Sequence, residues 1–481
     1  MPNPSNRQFA GLNDKITQTV LSQSPNRYFS SMKYQSINPY SGEMIKEFAF
    51  DTLPDLSNIQ NSFDQWRKLT IEERGRQLQK LAGIIADRKE EYARIITAEM
   101  GKPYREAVYE ITKVLTAFDY YIANAPLKLQ PEMVTTAASK SYISFEPLGI
   151  IFSVMPWNFP FWQVFRFAVP SLMAGNVTIL KHAPSVSLCA EAIEQAFKDA
   201  GIMEGVFTKL YLSNEDAAAL IASPLIAGVS FTGSDGTGSI IASLAGKYIK
   251  KSVIELGGND AFIVLDGADI DKAVTGAIKS RSINSGQSCN AAKRFIVTEK
   301  IFDAFRDKLV QEVASLKVGD PMKEETQIGP LARRDLAEKV SAQINDTIAA
   351  GATAHFNPFL APAGSNFVAP VVLENVKSGM RAFEEEIFGP IWSLIKAKDV
   401  NEAIQLANQS QYGLGASVWT DDVHTAELLV PELQTGNVFI NDIVKSDAKL
   451  PFGGVKRSGF GRELSEFGLR EFVNIKSVFI H

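Results

Sequence analysis

Cysteine is almost absent from this chain: Cys189 and Cys289 are the only two in 481 residues. Two cysteines make no disulfide framework, which excludes the small secreted scaffolds and fits a reducing cytoplasm. Histidine is nearly as scarce. His182, His355, His424 and His481 are scattered without metal-ligand spacing, so no metal site is expected. There is no basic block; charged residues make up 21% of the chain and the net charge is −5. Nucleic acid and acidic membrane surfaces are therefore not expected as partners. No apolar run reaches the ~18 residues that span a bilayer. Residues 1–31 are polar, rich in Asn, Ser and Gln, and lack the apolar centre of a secretory signal. Arg7, Lys15 and Arg27 against Asp14 give a faint transit-peptide character, but a disordered tail or an upstream start is the expected reading of that segment.

What the chain does have is apolar content, 45% of 481 residues, enough for more than one core and for two or three domains. Tyr34–Asn38 and Met44–Phe50 read as short strands around an Asn38-Pro39-Tyr40-Ser41-Gly42 turn. Thr70-Ile71-Glu72-Glu73 reads as a capping box, and Leu78, Leu81, Ile85, Tyr92 and Ile95 recur at helical spacing up to Met100-Gly101. Glu106–Asn124 continues helical, and these helices carry no obvious chemistry. Residues 130–147 have polar β character without a dense apolar face, an edge that an isolated monomer would leave exposed.

From Gly149 strand and helix alternate. Apolar runs at Ile150–Val154, Val177–Leu180, Val206–Leu212, Val229–Phe231 and Phe262–Leu265 are separated by helical segments such as Ala190–Ala200 and Ser239–Lys247. That alternation predicts an α/β fold, a parallel sheet covered by helices on both faces, with ligands bound at the carboxyl ends of its strands. A dinucleotide fits such a crevice. Gly233-Ser234-Asp235-Gly236-Thr237-Gly238, however, is not the usual Gly-x-Gly-x-x-Gly turn.

The chemistry concentrates between Val253 and Arg294. Val-Ile-Glu-Leu-Gly-Gly-Asn-Asp at 253–260 sets Glu255 at the end of a β-branched run, just before a glycine pair. Asn-Ser-Gly-Gln-Ser-Cys at 284–289 sets Cys289 after a Gly-Gln-Ser turn. A thiol and a carboxylate able to act as general base are the minimum for covalent catalysis on a carbonyl. Taken singly, Glu255 reads as a solvated loop charge and Cys289 as a small core residue.

Ile254-Glu255-Leu256-Gly257-Gly258-Asn259-Asp260-Ala261 resembles the glutamate signature of the aldehyde dehydrogenase superfamily, and Gly286-Gln287-Ser288-Cys289 resembles its cysteine signature. The resemblance runs from about Tyr34 to the C-terminus. It implies an open parallel-sheet cofactor-binding domain (32–128 and 148–256), an α/β catalytic domain (257–466) and a small β oligomerisation arm (129–147 and 467–481). In the family that arm pairs with a partner subunit, so a homodimer or homotetramer is expected. Pro156-Trp157-Asn158-Phe159-Pro160 follows the first strand of the alternating region; Asn158 resembles the amide that donates to the oxyanion together with the backbone N–H of Cys289, while Trp157 belongs with the cofactor set. Phe231-Thr232-Gly233-Ser234 resembles the turn that opens a helix against the cofactor pyrophosphate, and Leu256 belongs with the same set. Lys181 resembles the lysine that binds the adenosine ribose. NAD-preferring relatives carry a glutamate three residues later, where this chain has Pro184; without that carboxylate either NAD or NADP is expected to be accepted. Glu386-Ile387-Phe388-Gly389-Pro390 resembles the motif whose glutamate and phenylalanine hold the nicotinamide ribose and ring. Asn441, and Pro451-Phe452-Gly453-Gly454 with Ser458-Gly459-Phe460-Gly461-Arg462-Glu463, complete the resemblance, and the glycines there are expected to serve backbone turns.

The implied reaction is oxidation of an aldehyde: a Cys289 thiohemiacetal, hydride loss, then hydrolysis of the thioester by water activated by Glu255. Within the family the chain looks most like a bacterial branch of succinate semialdehyde dehydrogenases, through Trp162-Gln163-Val164-Phe165-Arg166, Lys181-His182-Ala183-Pro184 and Ser446-Asp447-Ala448. Arg166 and Ser446 match positions that bind the distal carboxylate there. A second family arginine corresponds to Ile283, a departure shared by that branch. The bland reading of Arg166 is a salt bridge on a helix surface. Rival readings are a broad-specificity aliphatic aldehyde dehydrogenase, a CoA-acylating relative (which generally lacks the glutamate present here as Glu255), a cysteine hydrolase using His182, and a non-catalytic scaffold.

Overall fold

The computed structural model describes residues 34–481; the polar segment 1–31 lies outside the described residues. Strands Tyr34–Ile37 and Met44–Phe48 form the first antiparallel pair. The capping box is made in both directions: Thr70 Oγ1 accepts the Glu73 N–H at 3.2 Å, and the Glu73 carboxylate accepts the Thr70 N–H at 2.8 Å. The helical stretch that follows is broken at Arg88 into Ile71–Asp87 and Lys89–Met100. The break shifts the buried stripe by one residue, so that Ile96 is buried and Ile95 only half-buried. The next helix, Tyr104–Lys128, is longer than its sequence signal and contains Pro126 in its last turn.

Two large sheets follow. The first runs in the order Gly459–Phe460, Lys251–Glu255, Ile226–Thr232, Ile150–Met155, Val177–His182, Phe207–Lys209, and is parallel except for Gly459–Phe460. The second has seven strands, Thr353–Phe356, Val371–Glu374, Ile391–Ala397, Arg294–Thr298, Ala261–Val264, Gly415–Trp419 and Asn437–Ile440, all parallel except the first. The alternation alone groups the apolar run at 262–265 with the strands before it, whereas the family resemblance puts residues from 257 on in a second domain. The strand of that run, Ala261–Val264, sits near the middle of the second sheet. The chain leaves one sheet at Glu255 and enters the other at Ala261, so the glycine pair 257–258 is the crossing between them. The run 206–212 also shortens to Phe207–Lys209.

The second sheet is covered on both faces. Ile263, Ile296, Ile395 and Val418 pack into one core, while Phe262, Phe295 and Leu394 pack into another, the period-two alternation of a strand buried on both sides. The first sheet shares a single larger core with the helices 71–128, through Ile151, Phe152, Ile179 and Val229 against Leu78, Ile85, Val114 and Phe118. A third, small sheet pairs Val473–Ile480 with Lys140–Pro147 over eight residues, and Lys140–Pro147 with Glu132–Met133. Ile475 and Phe479 on its outer strand are exposed.

Candidate active site

The helix Ile270–Ser282 ends in a turn in which Asn284, Ser285 and Gly286 are all left-handed, with φ of 55°, 54° and 79°. Two non-glycine residues held there cost about 1–2 kcal/mol each, so the loop must be tied down. Asn284 N–H donates to the Glu106 carboxylate at 2.5 Å, Gly329 N–H donates to Ser285 Oγ at 2.9 Å, and Ala332 N–H donates to Gln287 Oε1 at 2.9 Å. This frame presents Cys289 at the end of the turn, half-buried and free. Behind it, Lys293 donates to the carbonyl oxygens of Ser288, at 2.9 Å, and Cys289, and is ion-paired with Glu386 at 3.4 Å.

Asn158 is buried against the same loop. Its Nδ2 donates to the Gln287 carbonyl at 3.1 Å, and its own carbonyl accepts from Asn284 Nδ2 at 2.7 Å. An amide NH₂ carries two donors, and the Gln287 carbonyl takes one of them.

Glu255 ends the strand Lys251–Glu255, and Gly453 lies against it: a Cβ at 453 would come within 2.7 Å of Glu255 Oε1. The glycine pair after Glu255 is equally constrained, since a Cβ on Gly258 would meet the Cys289 carbonyl oxygen at 2.8 Å and one on Gly257 would meet the Glu386 carboxylate. Ser458 clamps this stretch through the Gly257 carbonyl at 2.7 Å. Arg166 is buried, not a surface residue; it ion-pairs with Glu463 and donates to Thr232 Oγ1 at 3.4 Å.

One helix ties these loops together. On Tyr104–Lys128, Glu106 receives the Asn284 N–H of the cysteine loop. Glu110 receives the N–H groups of Phe161 and Trp162 at 2.9 and 3.0 Å, just beyond Asn158, and is paired with Lys102. Lys113 donates to Ser446 Oγ at 2.7 Å and lies 4.5 Å from the Trp162 ring centroid. These three charged residues fall at i, i+4 and i+7, one helix face. Sequence reasoning passed over this helix as scaffold. The available signal was three charges on a helix whose Ala107, Ile111 and Val114 are buried. Lys293 and Glu463 were likewise visible in sequence, Glu463 at the end of Ser458-Gly459-Phe460-Gly461-Arg462-Glu463, without an assigned role.

Electrostatics follow burial. Burial pushes the Cys289 thiol up to about 11, against the lowering effect of Arg166 and Lys293. Burial and then the neighbouring Glu463 carboxylate hold Glu255 well above the usual carboxylate range, with Arg166 opposing. His182 is pushed down to about 4 by burial; its Nε2 bonds to the Pro160 carbonyl at 2.9 Å while Nδ1 accepts the Ala183 N–H at 2.9 Å. A ring held in that way has no nitrogen to offer Cys289, which removes the cysteine-hydrolase reading.

The residues expected to meet a dinucleotide gather at the carboxyl ends of the first sheet. Strand Ile226–Thr232 ends in Phe231 and Thr232, and Ser234 caps the helix Asp235–Lys247 by accepting the Thr237 N–H. Leu256 packs on the first turn of that helix, where Gly238 leaves room for it, and Gly233 sits against the Phe231 ring. Lys181 lies in strand Val177–His182, its ammonium buried without an ion pair among the described residues and pushed down to about 8 by burial. Pro184 opens the next turn. A buried cation lacking a counter-charge and a helix N-terminus facing the same sheet end fit the ribose and pyrophosphate of a dinucleotide. Trp157 and Phe388 meet edge to face at 5.8 Å. Ile283, by contrast, lines a separate cavity of about 490 Å³ with Arg105, Lys279 and Lys308, and Cys289 is not part of its lining.

A probable succinate-semialdehyde dehydrogenase [NADP(+)] of Synechocystis sp. is 44% identical over 93% of this chain and 100% of its own length. The succinate semialdehyde dehydrogenase [NAD(P)+] Sad of Escherichia coli is 44% identical over 92% of this chain and 97% of its own. The crystal structure of succinic semialdehyde dehydrogenase from Streptococcus pyogenes, in complex with NADP+, superposes with a TM-score of 0.90 at 36% identity, covering 93% of this chain and 99% of that one. Residues 28–478 match the model of the aldehyde dehydrogenase family, and the chain belongs to that family.

Proposed function

We propose that this aldehyde dehydrogenase oxidises succinate semialdehyde to succinate, with NAD or NADP as hydride acceptor. The observation that carries the substrate class is Ser446, buried and bonded to both the Lys113 ammonium and the Trp162 indole N–H. A short aliphatic aldehyde has no use for such a group, whereas a distal carboxylate does. The names of the Synechocystis and Escherichia coli relatives point the same way.

The chemistry follows from the residues. The Cys289 thiolate adds to the aldehyde carbon, and the free Asn158 N–H with the Cys289 N–H holds the resulting oxyanion. When bound, NAD(P) supplies the hydride acceptor; Lys181, Ser234, Glu386 and Phe388 are the residues that would hold it. The thioester left on Cys289 is attacked by water, and Glu255 takes the proton. Burial and the Glu463 carboxylate hold Glu255 well above the usual carboxylate range, and raising a carboxylate's proton affinity makes its ionised form the stronger base. Pro184 in place of a carboxylate leaves nothing there to repel a 2′-phosphate, so both cofactors are accepted.

The division into a cofactor-binding domain (32–128 and 148–256), a catalytic domain (257–466) and an arm (129–147 and 467–481) is supported by the three sheets, whose long strands fall within those limits. We further propose homo-oligomerisation through the arm, whose outer strand exposes Ile475 and Phe479, and a cytoplasmic location consistent with two free cysteines. No helix among the described residues is long and apolar enough to cross a membrane.

Reduction of NAD and NADP, followed by absorbance, tests the reading with succinate semialdehyde, glutarate semialdehyde, butyraldehyde and a cationic aminoaldehyde. A kcat/KM for succinate semialdehyde at least ~10-fold above butyraldehyde supports it. Equal rates favour a broad-specificity aliphatic enzyme. No reduction with any aldehyde, in folded protein, favours the scaffold.

A further inference from the structure

Asn284 is the residue at which the cysteine loop and the Asn158 turn meet. Its side-chain amide donates to the Asn158 carbonyl at 2.7 Å and to the Gln287 carbonyl at 3.0 Å, which uses both donors of that NH₂. Its own carbonyl accepts the Gln287 N–H at 2.9 Å and Gln287 Nε2 at 3.1 Å. Asn158 closes the ring through its bond to the Gln287 carbonyl. The asparagine that fixes Gln287, just before Ser288 and Cys289, is therefore the one that fixes the backbone of Asn158. Its φ of 55° is left-handed, a conformation that needs support from outside the loop.

That support is Glu106, whose carboxylate accepts the Asn284 N–H at 2.5 Å. The bonds from Gly329 to Ser285 and from Ala332 to Gln287 are neutral, and Lys293 acts at the far end of the loop, on the Ser288 and Cys289 carbonyls. A bond from an amide to a carboxylate is roughly twice as strong as one to a neutral acceptor, so the hold on Asn284 depends on the charge of Glu106. The side chain is half-buried and lines the cavity of about 490 Å³ that Ile283 shares and Cys289 does not. The other charged groups of that cavity are Arg105 on its own helix, Asp271 and Lys279 on Ile270–Ser282, and Lys308 and Glu312 on Glu299–Ser315; Lys308 is paired with Asp271. Lys102, just before the helix, is paired with Glu110. Burial pushes the Glu106 carboxyl up to about 7, against the Asn284 N–H and the charges of Lys102 and Arg105.

We propose that Glu106 is a positioning residue for the reaction: its ionised carboxylate, acting through Asn284, holds Cys289 against Asn158, and protonation of Glu106 loosens that hold. The proposal rests on the roles given above to Cys289 and Asn158, and not on which aldehyde is oxidised.

The test compares the wild type with Glu106→Gln, which keeps a neutral acceptor of nearly the same shape. The quantity read is the rate of nicotinamide reduction in the first turnover, at saturating aldehyde. Titrations of Cys289, Glu255 and Lys293 occur in both proteins and cancel in the ratio of the two rates. That ratio, wild type over variant, is expected to be ~1 at pH ~6 and to rise to ~10 by pH ~8.5, with KM within ~3-fold. Its midpoint is expected at about 7, where burial sets Glu106. A ratio that does not change with pH overturns the proposal, and so does a loss carried by KM alone. A second measurement needs no variant to fold. In the wild type, amide hydrogen exchange of the peptide spanning 283–289, corrected for intrinsic exchange, should lose about tenfold in protection between pH ~8.5 and pH ~6; unchanged protection also overturns the proposal. Aldehyde oxidation that survives Cys289→Ala overturns the reading of Cys289, and this proposal with it.

Discussion

Arg166 and Glu463 form an ion pair at 2% and 4% exposure, sealed from solvent beside the Glu255 carboxylate. Removing one member strands the other. Arg166→Met leaves Glu463 buried without its cation and is expected to cost about 3–5 kcal/mol in denaturant unfolding. The double variant Arg166→Met with Glu463→Leu should recover most of that loss, since a buried pair is often replaceable by apolar residues. Equal stability of single variant and wild type would contradict the pairing.

Cys289 is a poor nucleophile in the unliganded protein. Burial holds its thiol up at about 11, so the rate of alkylation by iodoacetamide should rise about tenfold per pH unit from neutrality toward that value. Cys289→Ala should abolish both alkylation at this site and aldehyde oxidation, with circular dichroism unchanged. An alkylation midpoint near or below the ordinary ~8.5 would show that Arg166 and Lys293 outweigh burial.

On the proposed mechanism Asn158→Ala removes one oxyanion donor and should lower kcat by ~10²–10³. Cofactor affinity, followed by nicotinamide fluorescence, should hold, because the side chain bonds the Gln287 carbonyl and not the dinucleotide end of the sheet. A loss confined to KM would point away from transition-state stabilisation.

Asp260 carries a pH signature. Burial raises its folded-state value to about 7, against ~3.9 unfolded. The folded protein thus holds a proton that the unfolded chain has released, and stability from this group is present in acid and lost as pH rises from ~4 to about 7. His182, pushed down to about 4, contributes with the opposite sign, so the informative quantity is a difference. Relative to wild type, Asp260→Asn should gain stability as pH increases across that window, read from urea midpoints at pH 5 and 8. A constant difference would place the Asp260 titration elsewhere.

Much of this was legible in sequence where short-range chemistry decides. The capping box at Thr70, the alternation after Gly149 and the ordered signatures around Asn158, Glu255 and Cys289 all depend on residues close together in the chain. The alternation of strand and helix alone did not assign Ala261–Val264 to a sheet, because both sheets are built from the same strand–helix units; the boundary after residue 256 came only from the family resemblance. The two-residue strand Gly459–Phe460, which pairs with Ile254 and Glu255, is too short to carry a period. Arg166 shows the same limit at the site. Its identity was plain, but its partner Glu463 lies almost at the other end of the chain, and which of two carboxylates it meets is set by packing.

The helix Tyr104–Lys128 also fixes what length changes the chain tolerates. Each residue added to an α-helix rotates everything beyond it by about 100°. A single residue inserted between Glu106 and Glu110 would therefore swing Glu110 and Lys113 off their face together, releasing the Asn158 turn and Ser446 while Glu106 still held the cysteine loop. The exposed residues 40–43 and 360–364 bear no such constraint. Insertions and deletions among descendants of this sequence are accordingly expected to collect in those loops and to spare the first three turns of this helix.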